Sequence, residues 1–312
     1  MNGDERAGAV LARLDEPSGE HTRFAVIADP HVSTREEGTS KLFDLTLDHL
    51  EAAVADVAER DVDAVVSPGD LTKDGEPWNY DAVDEALAPL DVPFYAVPGN
   101  HDVPKARDEH DTLSVPGFAE RYGPGELPYH VEIGSLDLIG INTAGTADRL
   151  YEDHHGRVDE PTLSWLEDTL PATTNPVVLM HHNLPPVNDQ ISAHREIEEE
   201  MVEIPGMVDA DPFAETLAEG GADLLLSGHY HLPATGEYMG LREIATPTTC
   251  SFPQSYLLCE TTPEGTTIRL VPVTDEVGLE TGHARRTDDS KTAKGLTAIA
   301  ASRLASFPLV SE

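Results

Sequence analysis

The sequence predicts an α/β fold whose ligand residues gather along one sheet edge, and three observations carry that prediction. Short apolar runs alternate with stretches of helical spacing along most of the chain. Five of those runs end in an Asp, Asn or His of the kind that binds metal ions. The length, 312 residues with 39% apolar side chains, is ample to bury a core for one large domain or a domain with a cap.

The elements follow in order. Residues 24–28 (FAVIA) read as a buried strand ending in Asp29-Pro30-His31. Leu42, Leu45, Leu47, Leu50, Val54 and Val57 set a helix over 40–60, with Ser40 as its N-cap. A second strand, 62–67, ends in Pro68-Gly69-Asp70, and a helix over 77–87 starts with Pro in its first turn. A third strand, 92–97, ends in Pro98-Gly99-Asn100-His101-Asp102, and 103–128 reads as a long loop. Residues 129–133 and 136–141 form a hairpin around Gly134-Ser135, and a helix covers 160–170. Strand 177–180 leads into His181-His182, and a helix lies near 211–219. Strand 222–227 ends in Gly228-His229-Tyr230-His231. Strands over 241–245, 255–259 and 267–272 complete a main domain of residues 23–273. Residues 1–22 are an N-terminal extension, the polar stretch 188–206 a cap insertion, and 274–312 a tail with one short amphipathic helix from Thr287 that presents Leu296, Ile299 and Leu304.

Composition excludes several classes. Against 58 Asp and Glu stand 20 Lys and Arg, only five of them Lys, for a net charge of −38. The carboxylates run from Asp4 to Glu312 and are not concentrated on one stretch. Such a chain repels itself over about 10 Å at ordinary ionic strength but only about 3 Å at molar salt, so the surface is expected to be a halophilic adaptation. No apolar run approaches the roughly 20 residues of a membrane span, and the charged first twenty residues lack a signal-peptide core. Cys250 and Cys259 form no disulfide framework and are expected as buried thiols. A cytoplasmic protein without membrane contact is the expectation, and the lack of a basic track disfavours nucleic acid.

The chemistry lies in the strand ends. Open α/β sheets bind ligands at the carboxyl ends of their strands. Asp29, His31, Asp70, Asn100, His181, His229 and His231 supply imidazole nitrogens, carboxylate oxygens and one amide oxygen, with no thiolate. Seven ligands exceed the need of one first-row ion and suit two, provided one carboxylate bridges. Mixed His, Asp and Asn donors favour Mn, Fe, Zn, Co or Ni. Two ions about 3.5–4 Å apart form a clamp for in-line displacement at phosphorus, and they lower the pKa of a shared water enough to supply hydroxide.

These motifs, Asp29-x-His31, Gly69-Asp70, Gly99-Asn100-His101-Asp102, His181 and Gly228-His229-x-His231, resemble the signature of calcineurin-like metallophosphoesterases. Gly69-Asp70-Leu71-Thr72 with Gly75, Tyr80 and Pro93 is similar to the class III cyclic-nucleotide phosphodiesterase and glycerophosphodiesterase branch. The resemblance implies a two-sheet αββα sandwich with metal ligands on loops at one edge. It implies that Asp29, His31, Asp70 and His231 hold one ion, that Asp70, Asn100, His181 and His229 hold the second, and that the pair is drawn from Mn, Fe or Zn. It further implies that His101 reaches the phosphate and assists the leaving oxygen, with Asp102 orienting its imidazole, and that Asn100 and His101 contact substrate. The family's fourth block often reads His-His-Pro, whereas here Asn183-Leu184 follow His181-His182, an expected change in the pocket wall. His182 is left between a structural hydrogen bond and a substrate contact.

The expected activity is hydrolysis of a small phosphodiester, of cyclic-nucleotide or glycerophosphodiester type. A phosphomonoesterase, or a nuclease with the same core, is the alternative, and a non-catalytic scaffold is disfavoured by the complete ligand set. Nothing in the sequence decides whether 188–206 and the tail close a pocket or build a homo-oligomer. Asp153-His154-His155 reads as a solvated loop with, at most, a peripheral role. Glu196 to Glu200 reads as a solvated face. His21, His49, His110, His130, His194 and His283 read as ordinary residues.

Overall fold

Successive apolar residues suit a strand covered on both faces, and the computed structural model, which describes residues 8–198 and 200–312, places such strands in two stacked sheets. Among the described residues the strands are β1 (Ala9–Leu14), β2 (Thr22–Val26), β3 (Ala64–Ser67), β4 (Phe94–Ala96), β5 (Tyr129–Ile133), β6 (Leu136–Gly140), β7 (Pro176–Leu179), β8 (Leu224–Ser227), β9 (Ala234–Tyr238), β10 (Leu241–Ala245), β11 (Ser255–Thr262), β12 (Gly265–Pro272) and β13 (Val310–Ser311). The helices are α1 (Thr46–Ala58), α2 (Pro77–Leu87), α3 (Val115–Tyr122), α4 (Glu160–Thr169), α5 (Pro185–Arg195), α6 (Ala210–Glu219), α7 (Glu276–Asp289) and α8 (Lys291–Leu304). One sheet runs β13-β1-β12-β11-β2-β3-β4 and the other β5-β6-β7-β8-β10-β9.

Side-chain alternation decides which layer each residue joins. Phe24, Val26, Ala64, Val66, Val177, Leu179, Leu224 and Leu226 fill the space between the sheets. Their neighbours Ala25, Ile27 and Val65 face the apolar stripes of α1 and α2, where Leu50, Val54, Val57 and Val83 are buried. Val178, Met180 and Leu225 face α4 and α6 through Leu166, Phe213 and Leu217. The result is the expected αββα sandwich. Parallel pairing of β2, β3 and β4, and of β6, β7, β8 and β10, sends the carboxyl ends of these strands to one edge.

The elements differ from the sequence expectation where local conformation breaks a repeat. The first helix begins at Thr46 rather than at residue 40, because Thr39 and Leu42 sit at φ 59° and 54°. Left-handed residues cannot continue a right-handed helix. Residues 39–45 therefore form a turn, and Ser40 caps nothing. The long loop of 103–128 contains α3, whose N-cap Ser114 accepts from the Gly117 N–H. Residues 188–195 of the polar stretch at 188–206 belong to α5, seated by Val187 and Ile191. Glu199 lies outside the described residues.

Both ends of the chain are woven into the fold. Residues 9–14, set apart above as an extension, pair with β12 on one side and β13 on the other, while residues 1–7 lie outside the described residues. The tail forms two helices, not one, separated at Ser290, whose side chain caps α8. Leu296 and Ile299 of α8 pack with Val187 and Ile191 of α5 and with Tyr230 and Leu232.

Leu226 lies in the middle of the inter-sheet layer and is fully buried. Leu226→Ala is expected to cost about 2–5 kcal/mol, measured by urea unfolding at fixed salt. A loss below about 1 kcal/mol would show that the two sheets close over the cavity.

Candidate metal centre

Each strand end contributes a loop that leaves the sheet abruptly, and the backbone there is strained. Asp29, His31, Asp70, His229 and His231 have φ of 48°, 44°, 54°, 73° and 55°. Positive φ is uncommon outside glycine and clusters at functional sites. The loops after β2 and β3 are zipped together: Asp29 and His31 donate backbone N–H groups to Gly69 and Asp70 carbonyls at 3.1 and 3.0 Å. Two glycines are needed for clearance. A Cβ on Gly99 would collide with Asp70 Oδ1, and one on Gly228 would stand 2.6 Å from Asp29 Oδ2.

The candidate ligands converge in two overlapping groups. Asp29, His31, Asp70 and His231, all buried, place one ligand atom each within 4.8 Å of one another. His31 Nε2 lies 3.0 Å from His231 Nε2 and 3.3 Å from Asp70 Oδ2, and His231 Nε2 lies 3.4 Å from Asp29 Oδ1. On the other side, Asp70 Oδ2 is 3.5 Å from His181 Nε2. Asn100 Oδ1 is 3.0 Å from that nitrogen and 3.1 Å from His229 Nδ1. Asp70 Oδ2 thus belongs to both groups, while Oδ1 accepts the His101 backbone N–H at 2.8 Å.

The chemistry of the second group fits a cation. His181 donates from Nδ1 to the Pro68 carbonyl at 2.8 Å, and His229 donates from Nε2 to the Pro205 carbonyl at 2.6 Å. Their other nitrogens therefore present lone pairs, and these face each other at 3.2 Å. With the Asn100 oxygen turned inward and Asp70 alongside, lone pairs converge without a proton between them. Such an arrangement repels itself unless a metal ion draws it together, and anchoring the far nitrogen of each imidazole to a carbonyl fixes the ligating tautomer.

Burial sets the charge states. Asp29 is pushed up to about 7, chiefly by burial and, against the pull of His181, also by the charge of Asp70. Burial also raises Asp70, but His181, His101 and Lys41 outweigh it and hold that carboxyl below the usual range. His31, His229 and His231 are held well below the ordinary imidazole value by burial first, then by neighbouring cationic and imidazole groups. Neutral imidazole is the form that binds metal.

The carboxylate beside His101 is Asp74, not Asp102. His101 Nδ1 lies 2.6 Å from the Lys73 carbonyl and 3.0 Å from Asp74 Oδ1. Asp102 turns the other way and accepts backbone N–H groups of Leu71, Thr72 and Gly99 at 3.0–3.2 Å. The sequence misleads here because adjacent residues on this tight turn point to opposite sides. Asp102 ties the β3 loop to the β4 loop. Its pKa is raised to about 7 by burial and by Asp70.

Asn183 also differs from expectation. It is buried and donates to Ser227 Oγ at 2.8 Å and Glu243 Oε1 at 3.0 Å, beneath the site and away from the pocket wall. His182 bonds Thr143 Oγ1 through Nδ1 at 2.9 Å, with its ring 4.7 Å from that of His229. Its Nε2 is buried without a hydrogen-bond partner among the described residues.

A cavity of about 430 Å³ opens over Asp70, Asn100, His101, His229 and His231. Its far walls are Ile204 and Pro205, and the first turns of α8. The tail therefore closes a pocket. His154 lines the cavity, while Asp153 pairs with Arg157 at 2.7 Å. Lys41 and Arg286 line it too, and sequence reasoning missed both, along with Asp74 and Glu243. Each lies outside the five motifs, and only position in space links them to the site.

Glu243 offers a pH test. Burial raises its carboxyl from 4.5 to about 7, against the donors Ser227, Asn183 and Leu184. The protonated form therefore favours folding, a contribution complete below 4.5 and lost as pH rises through about 7. In chelated protein, the stability gap between wild type and Glu243→Gln is expected to narrow from pH 4.5 to 7 in urea unfolding. A gap independent of pH would refute the shift.

Comparison with known proteins places this geometry among relatives. A family model described as calcineurin-like phosphoesterase matches residues 22–233. A probable cyclic nucleotide phosphodiesterase of Psychrobacter sp. is 27% identical over 206 residues, 64% of this chain and 56% of that one. The 3',5'-cyclic adenosine monophosphate phosphodiesterase CpdA of Haemophilus influenzae is 26% identical over 230 residues, 72% and 75% of the two chains. The DNA double-strand break repair protein Mre11 of Haloferax volcanii is 30% identical over 262 residues, 80% of this chain and 51% of that one. The chain thus spans little more than half the length of the first and third. Among solved structures, a dimetal phosphatase from Danio rerio shares the fold, with TM-score 0.61 and 16% identity over 81% of this chain and 97% of that one.

Proposed function

This chain belongs to the calcineurin-like phosphoesterase family, a metal-dependent hydrolase by its site and its relatives, and we propose that it cleaves a small phosphodiester with two metal ions. The observation that carries this reading is the sharing of Asp70 Oδ2 between two groups of ligand atoms. One divalent or mixed-valence pair drawn from Mn, Fe or Zn suits a donor set of imidazoles, carboxylates and one amide. Bound there, such ions would polarise the phosphoryl oxygens and acidify a shared water.

The chain's own residues do the rest. Asp29, His31, Asp70 and His231 form one cradle and Asp70, Asn100, His181 and His229 the other. His101 lines the cavity with Nδ1 anchored, so Nε2, which here lies 3.2 Å from Lys41 Nζ, is the nitrogen that would serve the leaving oxygen. In its protonated form it would donate there, and Asp74 would stabilise the imidazolium. Asp74 is suited to this: against the upward pull of burial, His101, Lys105 and Lys73 keep its carboxyl below the usual range.

The small-diester class rests on the size of the cavity, about 430 Å³, and on the cyclic nucleotide phosphodiesterases among the relatives. A nuclease is the second reading, favoured by the 30% identity to Mre11. The acidic surface supports a salt-adapted cytoplasm as the setting. No helix of the described residues is long and apolar enough to cross a membrane.

Hydrolysis of bis-p-nitrophenyl phosphate and of its monoester by Mn²⁺-loaded protein in molar KCl tests the class. Metal-dependent preference for the diester is expected. Preference for the monoester moves the function to phosphatase, and comparable cleavage of linear DNA moves it to nuclease.

Asp70→Ala is expected to lose both ions and turnover together, read by metal analysis and rate. His101→Gln should keep its metals and slow about 10²–10⁴-fold, the range of lost acid–base help. Asp74→Asn should also keep its metals and slow turnover, whereas a metal loss in either variant would assign these residues to the metal cradle.

A further inference from the structure

Lys41 and Arg286 are the cations lining the cavity over the metal centre, and neither is held there by a carboxylate. Lys41, carried on the turn before α1, places Nζ 3.2 Å from His31 Nδ1 and 3.2 Å from His101 Nε2. Arg286, on α7, is 2% exposed and donates from Nη1 to the His231 carbonyl at 2.8 Å and to the Phe252 carbonyl. Its neighbour Arg285 makes the opposite choice, a bidentate pair with Asp44 on the turn that carries Lys41. What sets Lys41 and Arg286 apart from the other Lys and Arg of the described residues is their place: both line the cavity over the candidate ligands.

Carbonyls satisfy N–H groups but do not neutralise a charge, and an unpaired buried cation is costly unless a ligand completes it. Arg286 carries a permanently charged guanidinium. Lys41 is poised rather than locked. When His31 uses Nε2 as a ligand, its own proton must sit on Nδ1, and the ammonium loses that acceptor. It keeps His101 Nε2 at 3.2 Å, and the cavity it lines has room for an anionic partner. The first turn of α8, with Ser290, Thr292 and Ala293 on the same wall, adds the positive end of a 14-residue helix.

We propose that Lys41 and Arg286 form an anion clamp for the non-bridging phosphoryl oxygens of substrate and product, with Arg286 delivered by the C-terminal helical pair. The clamp rests on the phosphoesterase reading for the identity of its anion. It makes the tail part of the active site: the tail supplies charge as well as closure, and the clamp selects compact phosphoesters that fit beneath α8.

The test uses the full-length chain loaded with Mn²⁺ at fixed KCl, with inorganic phosphate as probe in isothermal titration calorimetry. Lys41→Met and Arg286→Met are each expected to weaken phosphate about tenfold to a hundredfold, the loss of one charged hydrogen bond. Lys41→Met should retain its thermal midpoint and Mn²⁺ content, whereas Arg286→Met also strands the His231 and Phe252 carbonyls and is expected to lower the midpoint, so Lys41→Met is the decisive variant. Arg286→Lys should recover part of the affinity. With bis-p-nitrophenyl phosphate, KM should rise more than kcat falls. Unchanged phosphate affinity in folded Lys41→Met overturns the clamp, whether or not Arg286→Met folds. Weakened phosphate binding that tracks loss of Mn²⁺ overturns it as well. Calorimetry needs no turnover, so a wild type that binds phosphate but cleaves neither diester nor monoester sinks the phosphodiesterase reading and leaves the clamp's own result intact.

Discussion

One carboxylate, Asp70, joins the two groups of candidate metal ligands. Its Oδ1 accepts the backbone N–H of His101, which fixes the β4 loop, and its Oδ2 faces His31 on one side and His181 on the other. For that oxygen to be shared, loops from both sheets must meet at one edge of the sandwich. The backbone is strained to achieve it, with five of the seven candidate ligand residues in the left-handed region. Such conformations persist only where the surroundings over-determine them. Here the zipper between Asp29, His31 and the Gly69–Asp70 carbonyls, together with Asp102 tying three backbone N–H groups, does so.

A layer of buried polar groups supports the ligands from behind. Glu243 gathers Ser227, Asn183 and the Leu184 N–H, so that the loop after β7 and the end of β8 are joined below His181 and His229. Thr248 performs a similar task for Asp29, donating its hydroxyl to the Asp29 carbonyl at 2.7 Å. The Glu243 carboxylate is satisfied by three donors, which fixes the loop after β7 against β8, while Asn183 Oδ1 is left buried without a hydrogen-bond partner among the described residues. The His182 Nε2, buried and without a partner, marks where this network meets the metal centre.

Charge is distributed with the same logic. The surface is strongly acidic, yet the cavity over the ligands is lined by Lys41 and Arg286 and by the first turn of α8. In the proposed clamp, an anion would leave the acidic exterior for the two cations on the cavity wall.

The sequence by itself determined the α/β class, most strand positions and which residues gather as candidate metal ligands at the strand ends. These depend on local signals: apolar runs buried on both faces, and motifs at their ends. Pro77–Leu87 and Leu241–Ala245 fall where their patterns place them. Only the tertiary structure decided that Asp74 rather than Asp102 faces His101, that Asn183 lies beneath the site, and that β1 and β13 join the sheet. It alone brought Arg286 of the tail, 55 residues beyond His231 in the chain, onto that residue's carbonyl. The physical reason is the same throughout. A strand's period and a ligand motif are written in neighbouring residues, whereas the direction of a side chain on a tight turn, and the meeting of distant segments, are set by packing between layers that no local pattern encodes.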